Sequence, residues 1–332
     1  MKIKNKLKKD KAFWIMLILF IIMAAWVLIG IIEPVISQMV EVNKINDYIK
    51  KNDIREISQS TYNTMAKDSN IGKYFILEKD KLNYTLINDI QFISVDKYGN
   101  IRAMAHPFEN LVWSLSYFTM LSNILIVVVF GFSLFKKEDE GKIGIIKSNI
   151  MIMATVYITI TFLIFNFALF PYDVAAHKGW PYNDAIVPLK NGFLHIFNPI
   201  VFIVYQVKYA HHEMDLSKYK ENKKKLIFIE IYILLSYGAF AIIRGGIKML
   251  SGSFADDKTA FPYFFIEVFA DNPLGDKFKM TGMGILLFIV FVLIIAAIAI
   301  GFGNMYMALV KKRIIKSNEK NINTKSEIKI KK

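Results

Sequence analysis

From Phe13 to Ile32 the chain carries no polar side chain. That is the roughly 20 residues an α-helix needs to cross the hydrocarbon core of a bilayer. Counting this first span at 13–33, runs of comparable reach recur at 112–135, 149–170, 190–207, 226–247 and 282–310. Hydrophobic residues make up 54% of the chain, above the usual soluble share. The expected fold class is an all-α membrane protein: a six-transmembrane-helix bundle with both termini on one side of the membrane.

The lysines orient it. MKIKNKLKKDK, the loop KKEDEGKIGIIK, the loop KYAHHEMDLSKYKENKKK and the tail from Lys311 fall on the same side of a six-span chain. The positive-inside rule makes that side the cytoplasm, so a multi-pass protein of the cell membrane with both termini cytoplasmic is expected. These stretches account for most of the net charge of +14 and suit lipid headgroups, which speaks against a nucleic-acid partner. Six lysines precede the first apolar run, as in a signal peptide. The run is too long for one, and IIEPVISQM offers no small-residue cleavage site. With no cysteine in the chain, thiolate catalysis and cysteine-bound metals are excluded.

Four parts are expected: residues 1–33, the cytoplasmic N-terminus and first helix; 34–110, an extracellular insertion; 111–311, the five-helix remainder of the bundle; and 312–332, a disordered basic tail. In the insertion, Val35, Ile36, Met39, Val40, Val42, Ile45 and Ile49 keep near-helical spacing and predict an amphipathic continuation of the first helix. IQFISVDKYGNIRAMA predicts two short strands around a Lys-Tyr-Gly-Asn turn, giving a small α+β extracellular insertion. It would serve as a sensor, a lid or a surface for an extracellular protein partner, or simply as packing.

Chemistry inside the bundle rests on polar residues placed in hydrocarbon at a cost. Thr119 lies about 10 Å and His195 about 7 Å from the outer ends of their spans, on a rise of about 1.5 Å per residue. Ser122 and Asn123 share the helical face of Thr119, Asn198 shares that of His195, and Pro199 loosens the hydrogen bonds beside it. Asn166 closes the third span near the same level. A neutral histidine nitrogen would take the threonine proton and make Oγ1 a nucleophile toward an ester, with an asparagine amide stabilising the oxyanion. Back-bonding of Thr119 to Leu115 and hydrogen-bonded glue between helices explain the same residues without catalysis.

Arg244 and Lys248, at the outer end of the fifth span, suit a lipid headgroup by binding or by snorkelling. Tyr172, Trp180, Tyr182, Phe261, Tyr263, Phe264 and Phe265 read as an aromatic belt. Glu267 and Asp271 would orient the histidine only if their loop folds inward. His211, His212 and Glu213 read as solvent-facing residues of a lysine-rich loop, with no third ligand at metal spacing. No metal or other cofactor is expected.

The runs SYFTMLSNILIVVV, YITITFLIFNFALF, LHIFNPIVFIVY, LLSYGAFAIIRGG and AFPYFFIEVF, taken in order, resemble the bacterial Pr-six-Pr family of six-span membrane proteins. That family is in turn similar to the androgen-induced and androgen-dependent TFPI-regulating proteins of animals, hydrolases of fatty acid esters of hydroxy fatty acids. The resemblance spans about Ser116 to Val310 and implies a threonine nucleophile at Thr119 with His195 as its partner. The long segment before Asn110 replaces what is a short loop in that family.

Two functions follow as expectations. One is a lipid-ester hydrolase, or an acyltransferase, using Thr119 and His195 on membrane lipids. The other is a non-enzymatic scaffold acting through residues 34–110. A transporter would show discontinuous helices or inverted repeats, and neither is evident in the sequence.

Overall fold

The computed structural model describes residues 2–55, 64, 65, 67, 68, 93–95, 101–176, 185–250, 260–271, 273, 274 and 279–330. Six of its helices are long and apolar enough to cross a membrane, and the protein is a multi-pass membrane protein. The chain divides into two compact units. One comprises Met1–Leu28, Phe118–Ser236 and Phe291–Lys332, and the other Ile29–Tyr117 and Tyr237–Val290.

Helix α1 runs unbroken from Lys2 to Lys51 and carries Pro34 within it. Strands β1 (Ile93–Val95) and β2 (Ile101–Ala103) pair antiparallel. Helix α2 (Pro107–Ser116) stops at Tyr117, whose backbone is extended at φ −76 and ψ 130, and α3 (Phe118–Phe135) starts immediately after it. The second span, expected as one helix over 112–135, is therefore discontinuous. Helix α4 (Ser148–Ile164) passes through a π-helical turn at Phe165–Leu169 into α5 (Phe170–Ala176). Helix α6 (Ile186–Gly192) passes through a second such turn at Phe193–Phe197 into α7 (Asn198–Lys208). Helices α8 (Tyr219–Leu250) and α9 (Met283–Ile330) complete the chain.

In the first unit, α4 is the central element and packs against α3 and α7. Met151, Ala154 and Ile158 join Met23, Ile126, Phe130 and Phe202 in one cluster. Ile152, Val156 and Ile160 join Leu226, Ala299 and Met307 in another. A helix apolar on all sides belongs inside the bundle, and 61% of this span is buried against 6% of the last one. Lipid is as apolar as these side chains, so close fit rather than exclusion of water holds them together. Gly131 shows how close: a Cβ there would stand 2.8 Å from the Phe20 ring.

In the second unit, the face of α1 that carries Gln38, Val42, Ile45 and Ile49 is buried, whereas Ile36, Met39 and Val40 are exposed. Asn46 works as a surrogate strand neighbour: its Oδ1 accepts the Ala103 N–H at 2.8 Å and its Nδ2 donates to the Ala103 carbonyl at 3.0 Å. Gln38 Oε1 accepts the His106 N–H at 3.0 Å. Together they satisfy backbone groups that a hairpin of three-residue strands leaves open.

Two expectations need correction. The described part of residues 34–110 does not support a separate α+β domain. Its start is the body of α1, its end is β1, β2 and the first residues of α2, and most of what lies between falls outside the described residues. The segment 312–332, expected to be disordered, continues α9 as far as Ile330. Extending a helix already nucleated in the membrane fixes one residue per added bond, so polar composition alone does not stop it.

Candidate functional site

The two π-helical turns set up the polar network in the first unit. At the second of them the Asn198 N–H bonds to the Phe193 carbonyl five residues back, which leaves the Leu194 carbonyl without its helical donor. Pro199 has no N–H, so the His195 carbonyl is orphaned as well. Neighbouring helices fill both positions: Asn123 Nδ2 on α3 donates to the Leu194 carbonyl at 2.9 Å, and Asn166 Nδ2 in the first π turn reaches the His195 carbonyl at 3.4 Å. Wide turns of this kind recur at functional sites, and here two of them face each other.

Thr119 enters the network through its own carbonyl, which accepts Asn123 Nδ2 at 2.9 Å and Ser122 Oγ at 3.0 Å. Asn123 Nδ2 therefore bridges the Thr119 and Leu194 carbonyls and holds the two backbones at one level. Asn123 Oδ1 accepts Asn198 Nδ2 at 2.9 Å, and Ser122 Oγ pairs with Thr161 Oγ1 at 2.7 Å. Thr119, Ser122, Asn123, His195 and Asn198 are all buried, and Asn166 is partly so. Because of the break at Tyr117, Thr119 lies in the first turn of α3 and not in the middle of a continuous helix.

The His195 ring is stacked on Phe165, with centroids 3.6 Å apart and planes 11° from parallel. Its Nδ1 is buried and has no hydrogen-bond partner among the described residues. The imidazole is thus fixed by an aromatic face, while one nitrogen remains uncommitted. Asn123 cannot be an oxyanion donor, because both of its amide hydrogens are already engaged.

The other expected site residues lie in the second unit. Lys248 is buried and pairs with Glu109 at 3.3 Å, and both Lys248 and Arg244 stand over the Trp113 ring. Arg244 also donates to the Ala260 carbonyl at 3.1 Å. Both cations thus meet protein groups of α2, Glu109 and Trp113. Phe261 and Phe265 are buried, with Phe261 packed against Gly245, so they are packing residues and not part of a surface belt. Trp180 and Tyr182 lie outside the described residues.

His212, expected to face solvent, is buried, with Nε2 3.3 Å from the Gln206 carbonyl. Two glutamates escaped the sequence reading. Glu140 is fully buried between Lys137, the Tyr205 hydroxyl and the His211 N–H, the last at 2.9 Å. Glu230, within α8, is also fully buried. A carboxylate inside IFIEIYILL was the available signal for Glu230, as the threonine-rich ITIT run was for Thr161.

Comparison with protein-family models, curated proteins and solved structures found no match. Fold and site together define a membrane-spanning helical bundle with a polar network at two π-helical turns.

Proposed function

We propose that the protein is a lipid-ester hydrolase of the cell membrane, with Thr119 as nucleophile, His195 as general base and a site opening toward the outer leaflet. The reading is carried by one observation: Asn123 ties the Thr119 and Leu194 carbonyls together, next to a histidine whose Nδ1 is buried and uncommitted. Resemblance to the Pr-six-Pr family supports the same pair. In the reaction, Thr119 Oγ1 attacks the ester carbonyl as His195 takes its proton. The carbon–oxygen bond to the alcohol breaks, and that proton passes to the leaving oxygen. Water then cleaves the acyl-threonine with His195 again as base, returning the hydroxyl. Asn198 has one amide hydrogen on Asn123 and offers the other to the oxyanion.

The test is labelling of the purified protein by a fluorophosphonate probe. Wild-type protein labels, whereas Thr119→Ala and His195→Ala do not. Labelling that survives Thr119→Ala rejects the assignment.

A second reading takes support from the full commitment of the Asn123 amide to helix contacts. In it the network is glue, and the bundle is a scaffold that presents residues 34–110 to an extracellular protein. Deleting residues 36–108 then removes the cellular phenotype, while Thr119→Ala leaves it intact.

A further inference from the structure

Another costly polar group in the apolar spans is Glu230. It sits five residues beyond Lys225, about 7 Å along α8 from the last of a run of lysines, with Leu226 and Leu234 one turn to either side. It is 0% exposed, and neither carboxyl oxygen has a hydrogen-bond partner among the described residues. Across from it α9 has Gly303, where an added Cβ would stand 2.7 Å from Glu230 Oε2. The space the carboxyl occupies exists because that residue is glycine.

Among the described residues, the groups facing it give no counter-charge. Tyr157 on α4 donates its hydroxyl to the Glu230 main-chain carbonyl at 3.4 Å, so this phenol is spent on the backbone. Tyr306, one turn along α9 from Gly303, is paired with Thr159 at 2.9 Å. The nearest lysines on α8, Lys223, Lys224 and Lys225, lie on the far side of Leu226 toward the helix start. An ionised carboxylate without a partner in such a place is strongly disfavoured, and binding a proton removes the charge at once. Lys225, about 7 Å away toward the helix start, and Lys224 beside it are exposed.

We propose that Glu230 is a reversible proton-binding site inside the membrane, set in the space that Gly303 leaves open and reached from the lysine-rich end of α8. This goes beyond the Thr119–His195 reading and does not depend on it.

The experiment is infrared difference spectroscopy of the full chain in lipid nanodiscs, titrated from about pH 6 to about pH 10, where solvent-exposed carboxylates are ionised throughout. The expected result is a protonated-carboxyl stretch that is absent in Glu230→Gln, shifts in D2O and disappears reversibly as pH rises. Gly303→Ala, which pushes on Oε2 without replacing the acid, shifts the midpoint of that loss and keeps the assignment testable even if Glu230→Gln fails to fold. A band that persists at every pH marks an inert neutral acid and overturns the proposal. So does the absence of any such band, or its loss on adding sodium at constant pH, which would assign the site to a metal cation.

Discussion

Replacing Asn123 tests the network at its centre. The side chain is fully buried and makes three contacts of 2.9 Å, to the Thr119 carbonyl, the Leu194 carbonyl and Asn198 Nδ2. Losing the first costs little, because Ser122 still serves the Thr119 carbonyl. Losing the second leaves the Leu194 carbonyl unpaired, its helical donor having gone to Phe193, at about 1–3 kcal/mol. The bond to Asn198 adds about 0.6 kcal/mol, the typical interhelical value in a membrane. Asn123→Leu should therefore destabilise the protein by about 2–4 kcal/mol.

Asn123→Asp keeps the shape but must bind a proton to face two carbonyls. Holding that proton about three units above the ordinary aspartate range costs about 4 kcal/mol at pH 7. Reversible unfolding in mixed micelles should rank Asn123→Asp below Asn123→Leu at neutral pH, with only Asp recovering as pH falls. A leucine variant within about 0.5 kcal/mol of wild type, or an aspartate variant indifferent to pH, would refute the reasoning.

Other outcomes follow from single contacts. Burial, with Arg313 acting in the same sense, pushes His212 down from 6.5 to about 4 against the pull of the Gln206 carbonyl and Glu140. The unfolded chain then binds a proton that the folded one refuses, so stability should fall by up to about 3 kcal/mol as pH drops from 6.5 to 4, and His212→Asn should flatten that slope in denaturation at several pH values. Gly141 has φ +84 and an added Cβ would lie 2.8 Å from the Glu213 nitrogen and the His211 carbonyl, so Gly141→Ala should cost at least about 2 kcal/mol in a thermal-shift assay. Phe165→Leu should remove about 1 kcal/mol of stacking and move the His195 imidazole resonances in NMR spectra; unchanged resonances would reject the stack.

The spans were legible because twenty apolar residues in a row have few alternatives to a membrane helix. Their internal irregularities were not. Tyr117 breaks the second span with neither glycine nor proline to announce it, and the π turns arise from packing between helices rather than from local preference. Pro199 did announce an orphaned carbonyl, but that Asn166 would fill it depends on a helix 29 residues earlier in the chain. The pairing of Lys248 is hidden in the sequence for a similar reason. Its partner Glu109 lies on the far side of three spans in sequence, so the outer end of α8 looked open to headgroups. Glu230 is legible as an acid in an apolar run, but its burial against Gly303 depends on a helix more than 70 residues later.

The turn at Phe193–Phe197 has a bearing on the whole helix that contains it. Each residue of a regular α-helix advances its neighbours by about 100° around the axis, and a turn with one residue extra resets that phase. After the turn, Asn198, Phe202 and Tyr205 follow at i, i+4 and i+7 on one face, Asn198 meeting Asn123 and the other two joining the apolar cluster with Met23 and Phe130. The single extra residue thus sets how α6, before the turn, is rotated about the axis relative to that face. Removing one residue there would turn α6 by about 100° against that face, so the length of this segment is as much a part of the site as its side chains.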